Sequence, residues 1–259
     1  MMNEGNSENR LLPAAVLPNG DIQCRLVIFD FDGTVIDTGP GIKNAMGKAF
    51  AKLGLPAHTE EELDAYIGPP IRSTFRDTFR LPEDEAAEAV RTYRRFYNQV
   101  GVYDGVVYDG IPALLASLKD KGYELAVGTS KPWVVAQHIL RHFGLRQYFN
   151  SVFGSFIDGR QSEKAQVLQS VVDHYTWAAR LPRGRLAWGE AGAAERGASG
   201  TMQALMIGDR YYDVEGAKAI GLPTIGVAYG YGTAAELTQA GAVLVVHHPR
   251  EIDDRLPRL

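Results

Sequence analysis

Short, largely apolar runs that stop abruptly at charged or turn residues constrain this chain more than any other feature. Leu26-Val27-Ile28-Phe29 is the first, and Tyr123 to Gly128, Ala204 to Ile207, Pro223 to Val227 and Ala242 to Val246 follow it. Runs this short, without polar alternation, suit strands buried on both faces. Between them lie amphipathic patterns at helical spacing, Ile111 to Lys121, Trp133 to Phe143, Glu163 to His174 and Asp213 to Ile220. Strand, helix, strand repeated in this order implies right-handed crossovers. The expected core is therefore a doubly wound α/β domain, a parallel sheet with helices on both faces.

One stretch breaks the alternation. Ile42 to Leu53, Glu60 to Ile67, Ile71 to Phe79 and Glu83 to Val100 all read as amphipathic helices, punctuated by Pro56, Pro69-Pro70 and Pro82. This is too much chain for a crossover, so an all-helical module over 39–104 is expected inside a core made of 25–38 and 105–259. Residues 1–24, polar and broken by Pro13 and Pro18, are expected to form a flexible leader. The segment 182–200, rich in Gly, Ala and Arg without periodicity, is expected to be a flexible insertion.

Composition narrows the function classes. With 27 basic and 31 acidic side chains among 259 residues, the net charge of −4 gives no electrostatic reason to expect nucleic acid or an anionic membrane. The single cysteine, Cys24, excludes an internal disulfide and a cysteine-rich zinc site. No apolar run approaches the ~18 residues of a membrane helix, and the opening residues lack the pattern of a signal peptide. The expectation is a cytoplasmic protein, monomer or homodimer, whose partner is a small molecule.

In open α/β sheets ligands bind beyond the carboxyl ends of the strands. The first strand is followed by Asp30-Phe31-Asp32-Gly33-Thr34, in which positions i and i+2 point two carboxylates the same way and turn Phe31 into packing. An Asp-Gly turn explains Gly33 but leaves the second aspartate unexplained. Another strand runs into Gly208-Asp209-Arg210-Tyr211-Tyr212-Asp213, where Asp213 is also a candidate helix cap. Carboxylates gathered at adjacent strand ends repel one another by about 4 kcal/mol per close pair at an effective dielectric of ~20, so a cation is expected among them. Magnesium fits, since it takes one or two carboxylates, several waters and a substrate phosphate. Thr129-Ser130 end a third strand just before a helix, a place suited to an anion. Lys164 opens a later helix, and Arg72 lies on a helix of the inserted module, where a guanidinium could reach a second anionic group of a substrate.

Taken in order, Asp-Phe-Asp-Gly-Thr after an apolar strand, a strand-end Thr, a helix-borne Lys and Gly-Asp-x-x-x-Asp resemble the four motifs of the haloacid dehalogenase (HAD) superfamily. The likeness runs from Arg25 to about Ile252. The helical insert after the first motif, with Tyr66-Ile67-Gly68-Pro69-Pro70-Ile71-Arg72 inside it, and the late Gly226-Val227-Ala228-Tyr229-Gly230-Tyr231-Gly232 are similar to the phosphoglycolate phosphatase-like or 5′-nucleotidase-like branch. The resemblance implies a Mg²⁺-dependent phosphomonoesterase in which Asp30 is the nucleophile, Asp32 the general acid and base, and Lys164 the cation that offsets charge on Asp30 and the phosphate. It also implies that Thr129 and Ser130 bind the phosphoryl oxygens, and that Asp30, Asp209, the carbonyl of Asp32 and the nearby Asp213 surround the metal. Asp32 separates this chain from the dehalogenases and phosphonatases of the superfamily. A phosphosugar mutase remains an alternative, as does a receiver-like protein that signals through a phosphorylated aspartate.

Overall fold

The computed structural model describes residues 12–64, 66–180 and 203–259. Its centre is a parallel sheet built from β4 (Leu26–Phe29), β7 (Glu124–Pro132), β8 (Ser151–Ser155), β9 (Gln203–Gly208), β10 (Thr224–Val227) and β11 (Leu244–Val246), in the order β11-β10-β9-β4-β7-β8. All its pairings are parallel, as the expected crossovers require. Helices α5 (Ile111–Asp120), α6 (Trp133–His142), α7 (Lys164–Arg180), α8 (Tyr211–Ala219) and α9 (Ala234–Ala240) lie between the strands along the chain, and α10 (Pro249–Arg255) follows β11.

The four residues of β4 are completely buried, with Val27 and Phe29 in the core beneath one face and Leu26 and Ile28 in a second core beneath the other. That division explains why the strand reads as an unbroken apolar run: each face needs its own side chains. From β4 the chain builds outward to β7 and β8, then returns to β9 on the other side. The point of reversal lies between β4 and β9, whose register sets Phe29 against Ile207 and so brings Asp30 beside the end of β9. A crevice at such a reversal is where doubly wound sheets receive ligands.

Past β4 the chain enters β5 (Ile36–Asp37), and it re-enters the core through β6 (Val106–Val107), which pairs antiparallel with β5. Between these two strands every described element is helical: α1 (Gly39–Leu53), α2 (Glu60–Asp64), α3 (Ile71–Ser73), α4 (Glu83–Gln99) and a last short turn at Gly101–Tyr103. α3 continues over Thr74–Thr78 with one wide turn, which sequence periodicity does not announce. Phe50, Phe75, Phe79 and His58 pack edge-on or tilted against one another and form the heart of this helical segment.

Three expectations need correction. The leader is not loose throughout: β1 (Leu12–Pro13) adds to the base of β9, β2 (Ala15–Val16) pairs with β3 (Ile22–Gln23), and Ile22 and Cys24 are buried. Pairings only two residues long leave no periodic trace, so the prolines dominate the sequence pattern; the first eleven residues lie outside the described ones. Burial in an apolar setting pushes the Cys24 thiol up to about 12, which makes it inert packing. The strand β8 has no counterpart among the apolar runs because it is an edge strand, half-buried, with two serines and a glycine among its five residues. Finally, β7 does not end at Thr129-Ser130 but runs on to Pro132, which takes the cap position of α6. The insertion expected over 182–200 lies outside the described residues.

Candidate active site

Asp30 follows the last residue of β4, and its backbone N–H donates to the Ile207 carbonyl at 2.8 Å, which locks the strand end against β9. Its carboxylate is buried and accepts a hydrogen bond from Lys164 Nζ at 2.6 Å. Lys164, the first residue of α7, also donates to the Gly128 carbonyl at 3.1 Å and lies 2.7 Å from Asp213 Oδ1. One ammonium thus ties together the end of β4, the middle of β7 and the first turn of α8. Space for its stem comes from Gly216 on α8, where a Cβ would stand 2.6 Å from Lys164 Cγ.

Asp209 directly follows β9 and is fully buried. Thr34 Oγ1 donates to its Oδ1 at 3.0 Å, and the Tyr231 backbone N–H donates to its Oδ2 at 2.9 Å. The turn that follows the two aspartates of the first motif comes close enough for this because Gly33, at φ +83°, takes a left-handed conformation; a Cβ there would lie 2.2 Å from Asp209 Oδ2. Asp213 is the third residue of α8, not its cap, and its Oδ2 accepts from the Arg210 N–H at 3.0 Å, closing the start of the helix.

Asp30, Asp209 and Asp213 offer carboxylate oxygens that all lie within 4.8 Å of one another, and all three residues are buried. Burial first, then the neighbouring Asp213, pushes the Asp30 carboxyl up to about 7, while burial followed by Asp213 and Asp30 raises Asp209 well above the usual carboxylate range. Burial works against the charge of Lys164, but Asp213 and Asp30 outweigh it and hold the ammonium protonated. Three carboxylates with one ammonium leave an excess of negative charge in a low-dielectric site. The donor set, hard oxygens with no sulfur or imidazole, fits a hard divalent cation.

Asp32 is also buried, but a different cation holds it. Lys131 Nζ lies 3.0 Å from its Oδ1, and Thr38 donates to the same oxygen. Lys131 is driven inward by the irregular β7–β8 pairing between Thr129 and Pro132, and it donates to Tyr97 Oη of α4 at 3.1 Å. Burial opposes its charge, but Asp32 together with Tyr97 and Tyr93 outweighs it, so Lys131 stays a cation. The two aspartates of the first motif thus share one sheet edge and differ in environment, Asp30 among carboxylates and Asp32 against an ammonium.

Thr129 is buried at the end of the regular part of β7, and its Oγ1 accepts the Lys131 N–H at 3.2 Å, which leaves the hydroxyl proton free to point outward. Ser130 lines a cleft of about 920 Å³, open mouth included, that runs between the sheet edge and the helical segment. Arg72 and Asp32 line it too, although Arg72 is partly exposed and shares its charge with Glu83. Asp30, Asp32, Thr129, Ser130, Lys164, Asp209 and Asp213 therefore gather at one edge of the sheet, while Arg72 reaches the cleft from the helical segment. Sequence reasoning missed Lys131, Thr34, Thr38, Tyr97 and the Tyr231 N–H. Lys131, two residues beyond Thr129, was the accessible signal; the others depend on loop closure that no periodicity encodes.

Among the described residues no helix is long and apolar enough to cross a membrane. Residues 27–177 match the family model described as haloacid dehalogenase-like hydrolase, and residues 188–255 match one described as HAD-hydrolase-like. A 5′-nucleotidase of Pseudomonas aeruginosa is 37% identical over 82% of this chain and 86% of its own length. A phosphoglycolate phosphatase of Escherichia coli O157:H7 is 30% identical over 91% of this chain and 92% of its own. The tyrosine-protein kinase PtkA of Mycobacterium tuberculosis is 34% identical over 86% of this chain and 68% of its own. The crystal structure of a predicted phosphatase from Clostridium acetobutylicum superposes with a TM-score of 0.78 at 34% identity, covering 90% of this chain and 97% of that one.

Proposed function

We propose, for a chain that belongs to the haloacid dehalogenase-like hydrolases and is a phosphatase of that family, Mg²⁺-dependent hydrolysis of a small phosphate monoester through a phosphorylated Asp30. One observation carries this reading. A buried carboxylate at the end of the central strand is clamped by a lysine inside a cluster of three carboxylates, and a second, separately held carboxylate stands two residues further on.

Asp30 supplies the nucleophile: its free oxygen attacks phosphorus as the bond to the leaving oxygen breaks. Asp32, held by Lys131 and Thr38, gives its proton to the leaving oxygen, then takes one from the water that attacks the phosphorylated Asp30 and releases inorganic phosphate. Lys164, within reach of Asp30, offsets charge on the nucleophile and on the incoming phosphoryl group, and Thr129 with Ser130 supplies hydroxyl donors to its oxygens. Asp30, Asp209 and the carbonyl of Asp32, with Asp213 beside them, would hold Mg²⁺, which when bound neutralises negative charge on the phosphoryl oxygens. The helical segment between β5 and β6 acts as a cap that excludes water from the cleft. Leading substrates are phosphoglycolate and nucleoside 5′-monophosphates, by analogy with the relatives so named.

A phosphate-release screen over a metabolite panel tests the reading, with Mg²⁺ in one arm and EDTA in the other. Turnover with Mg²⁺ and none with EDTA is expected; equal release in both arms would refute the metal requirement.

Metal binding also has a pH signature in stability. Without metal, Asp30 keeps its proton up to about 7 in the folded chain, whereas its ordinary value is 3.8. The folded state therefore binds more protons between these values, and the metal-free protein loses stability as pH rises from about 4 to about 7. A cation takes over the proton's role above that window. At ~100-fold excess over its dissociation constant Mg²⁺ should add about 2.7 kcal/mol, and so raise Tm by about 5–10 °C at pH 8. The rise should shrink at pH 5, where protons compete. Thermal melts at the two pH values check this, and a Tm indifferent to Mg²⁺ at pH 8 would contradict it.

A further inference from the structure

The cleft that Asp32 shares with the helical segment is positively charged on a molecule whose net charge is −4. Its charged lining consists of Asp32 with Lys131, Arg72 and Arg94. Lys131 is matched by Asp32, and Arg72 by Glu83. Arg94, on α4, has no carboxylate within ion-pair distance among the described residues; it donates only to the Ile157 backbone carbonyl. The nearest acid of that loop, Asp158, is already engaged by Arg160 at 2.7 Å.

Both arginines lean on the same turn. Arg94 reaches the Ile157 carbonyl, while Arg72 Nη1 stands 3.7 Å from where a Cβ on Gly159 would be. Two guanidiniums thus converge on one turn of the cleft that Asp32 and Lys131 also line. Burial draws the Arg94 guanidinium below its ordinary value, and the like charge of Arg72 adds to this. Like charges brought together in a partly desolvated cleft, with one of them unmatched, favour an anion between them.

We infer that the cleft selects phosphate esters whose leaving group carries a second anionic group, a carboxylate or a phosphate, received by Arg94 with Arg72 beside it. This rests on the phosphatase reading above and sharpens it: of the two leading classes, a phosphorylated hydroxy acid supplies the second charge, whereas the nucleoside of a 5′-monophosphate leaves as a neutral group.

The experiment compares kcat/KM for phosphoglycolate, a sugar bisphosphate, a nucleoside 5′-monophosphate and p-nitrophenyl phosphate, using the full chain with Mg²⁺ as wild type, Arg94→Gln and Arg94→Lys. The expected result is a fall of at least tenfold in the ratio of phosphoglycolate or bisphosphate to p-nitrophenyl phosphate in Arg94→Gln, expressed mainly in KM, with partial recovery in Arg94→Lys. Which of the two anionic substrates loses more identifies carboxylate or phosphate as the group received. An equal loss on all four esters would make Arg94 a structural latch on the Ile157 turn and overturn the inference. So would a wild-type preference for the nucleotide that the substitution leaves intact. Wild type inactive on every ester would instead overturn the phosphatase reading itself.

Discussion

Asp30→Asn is expected to remain folded and to lose phosphate release from p-nitrophenyl phosphate by on the order of 10⁴-fold or more with Mg²⁺ present. The amide has the same shape and can still accept a hydrogen bond from Lys164, so the clamp between β4, β7 and α8 keeps its geometry. What disappears is the anionic oxygen that attacks phosphorus, and nothing else at this edge can replace it. Asp209 has both oxygens committed to Thr34 and the Tyr231 N–H, and Asp32 is turned to Lys131 and Thr38. The same substitution removes one of three crowded carboxylates, so the metal-free variant should melt at or above the wild-type temperature near pH 8. Loss of activity together with a maintained Tm separates a missing nucleophile from a broken fold. Residual turnover within tenfold of wild type would sink the assignment of Asp30. Choosing this substrate matters as well, because nitrophenolate needs no proton to leave and the assay then reads nucleophilic attack rather than the acid step at Asp32.

The same edge shows what a sequence can and cannot disclose. Asp30, Asp209 and Lys164 were legible because each directly follows a buried strand or opens a helix, where chain direction alone decides which end of the sheet a residue reaches. Lys131 was not, since its inward turn depends on an irregular register between β7 and β8, and β8 itself is an edge strand with no apolar run to reveal it. Thr34 and Thr38 sit in a loop whose path is set by Gly33 and by the Tyr229–Gly232 segment arriving from far along the chain. Arg94 fared no better: on α4 it reads as one more basic residue of a charged helix, and only the meeting of α4 with the Ile157 turn gives it a neighbour to act with. Strand ends are fixed by local pattern, whereas cleft walls are fixed by how two helical layers meet, and that information is spread over the whole chain.

Replacing Lys164 by Met tests the other half of the charge balance and should cost more stability than any other single change at the site. Methionine has nearly the length of lysine and fits the space left by Gly216, so no cavity is opened and the loss is electrostatic. Asp30 and Asp213 would be left buried without their shared cation, a change of about 3–5 kcal/mol for breaking a buried pair from one side. For a chain of this size that corresponds to a fall in Tm of about 6–20 °C in EDTA near pH 8. The sign of its pH dependence follows from the direction of the Asp30 shift. A carboxyl whose folded value is raised contributes stability while protonated and loses it as pH rises through the folded value, and without Lys164 that value can only rise further. The deficit of Lys164→Met relative to wild type should therefore be largest at pH 8 and diminish towards pH 5. Melts in EDTA across that range measure it directly. A deficit that stays constant with pH would show that Lys164 acts as packing and not as the counter-charge of the cluster, and phosphoryl transfer that survives the substitution would remove it from the catalytic group altogether.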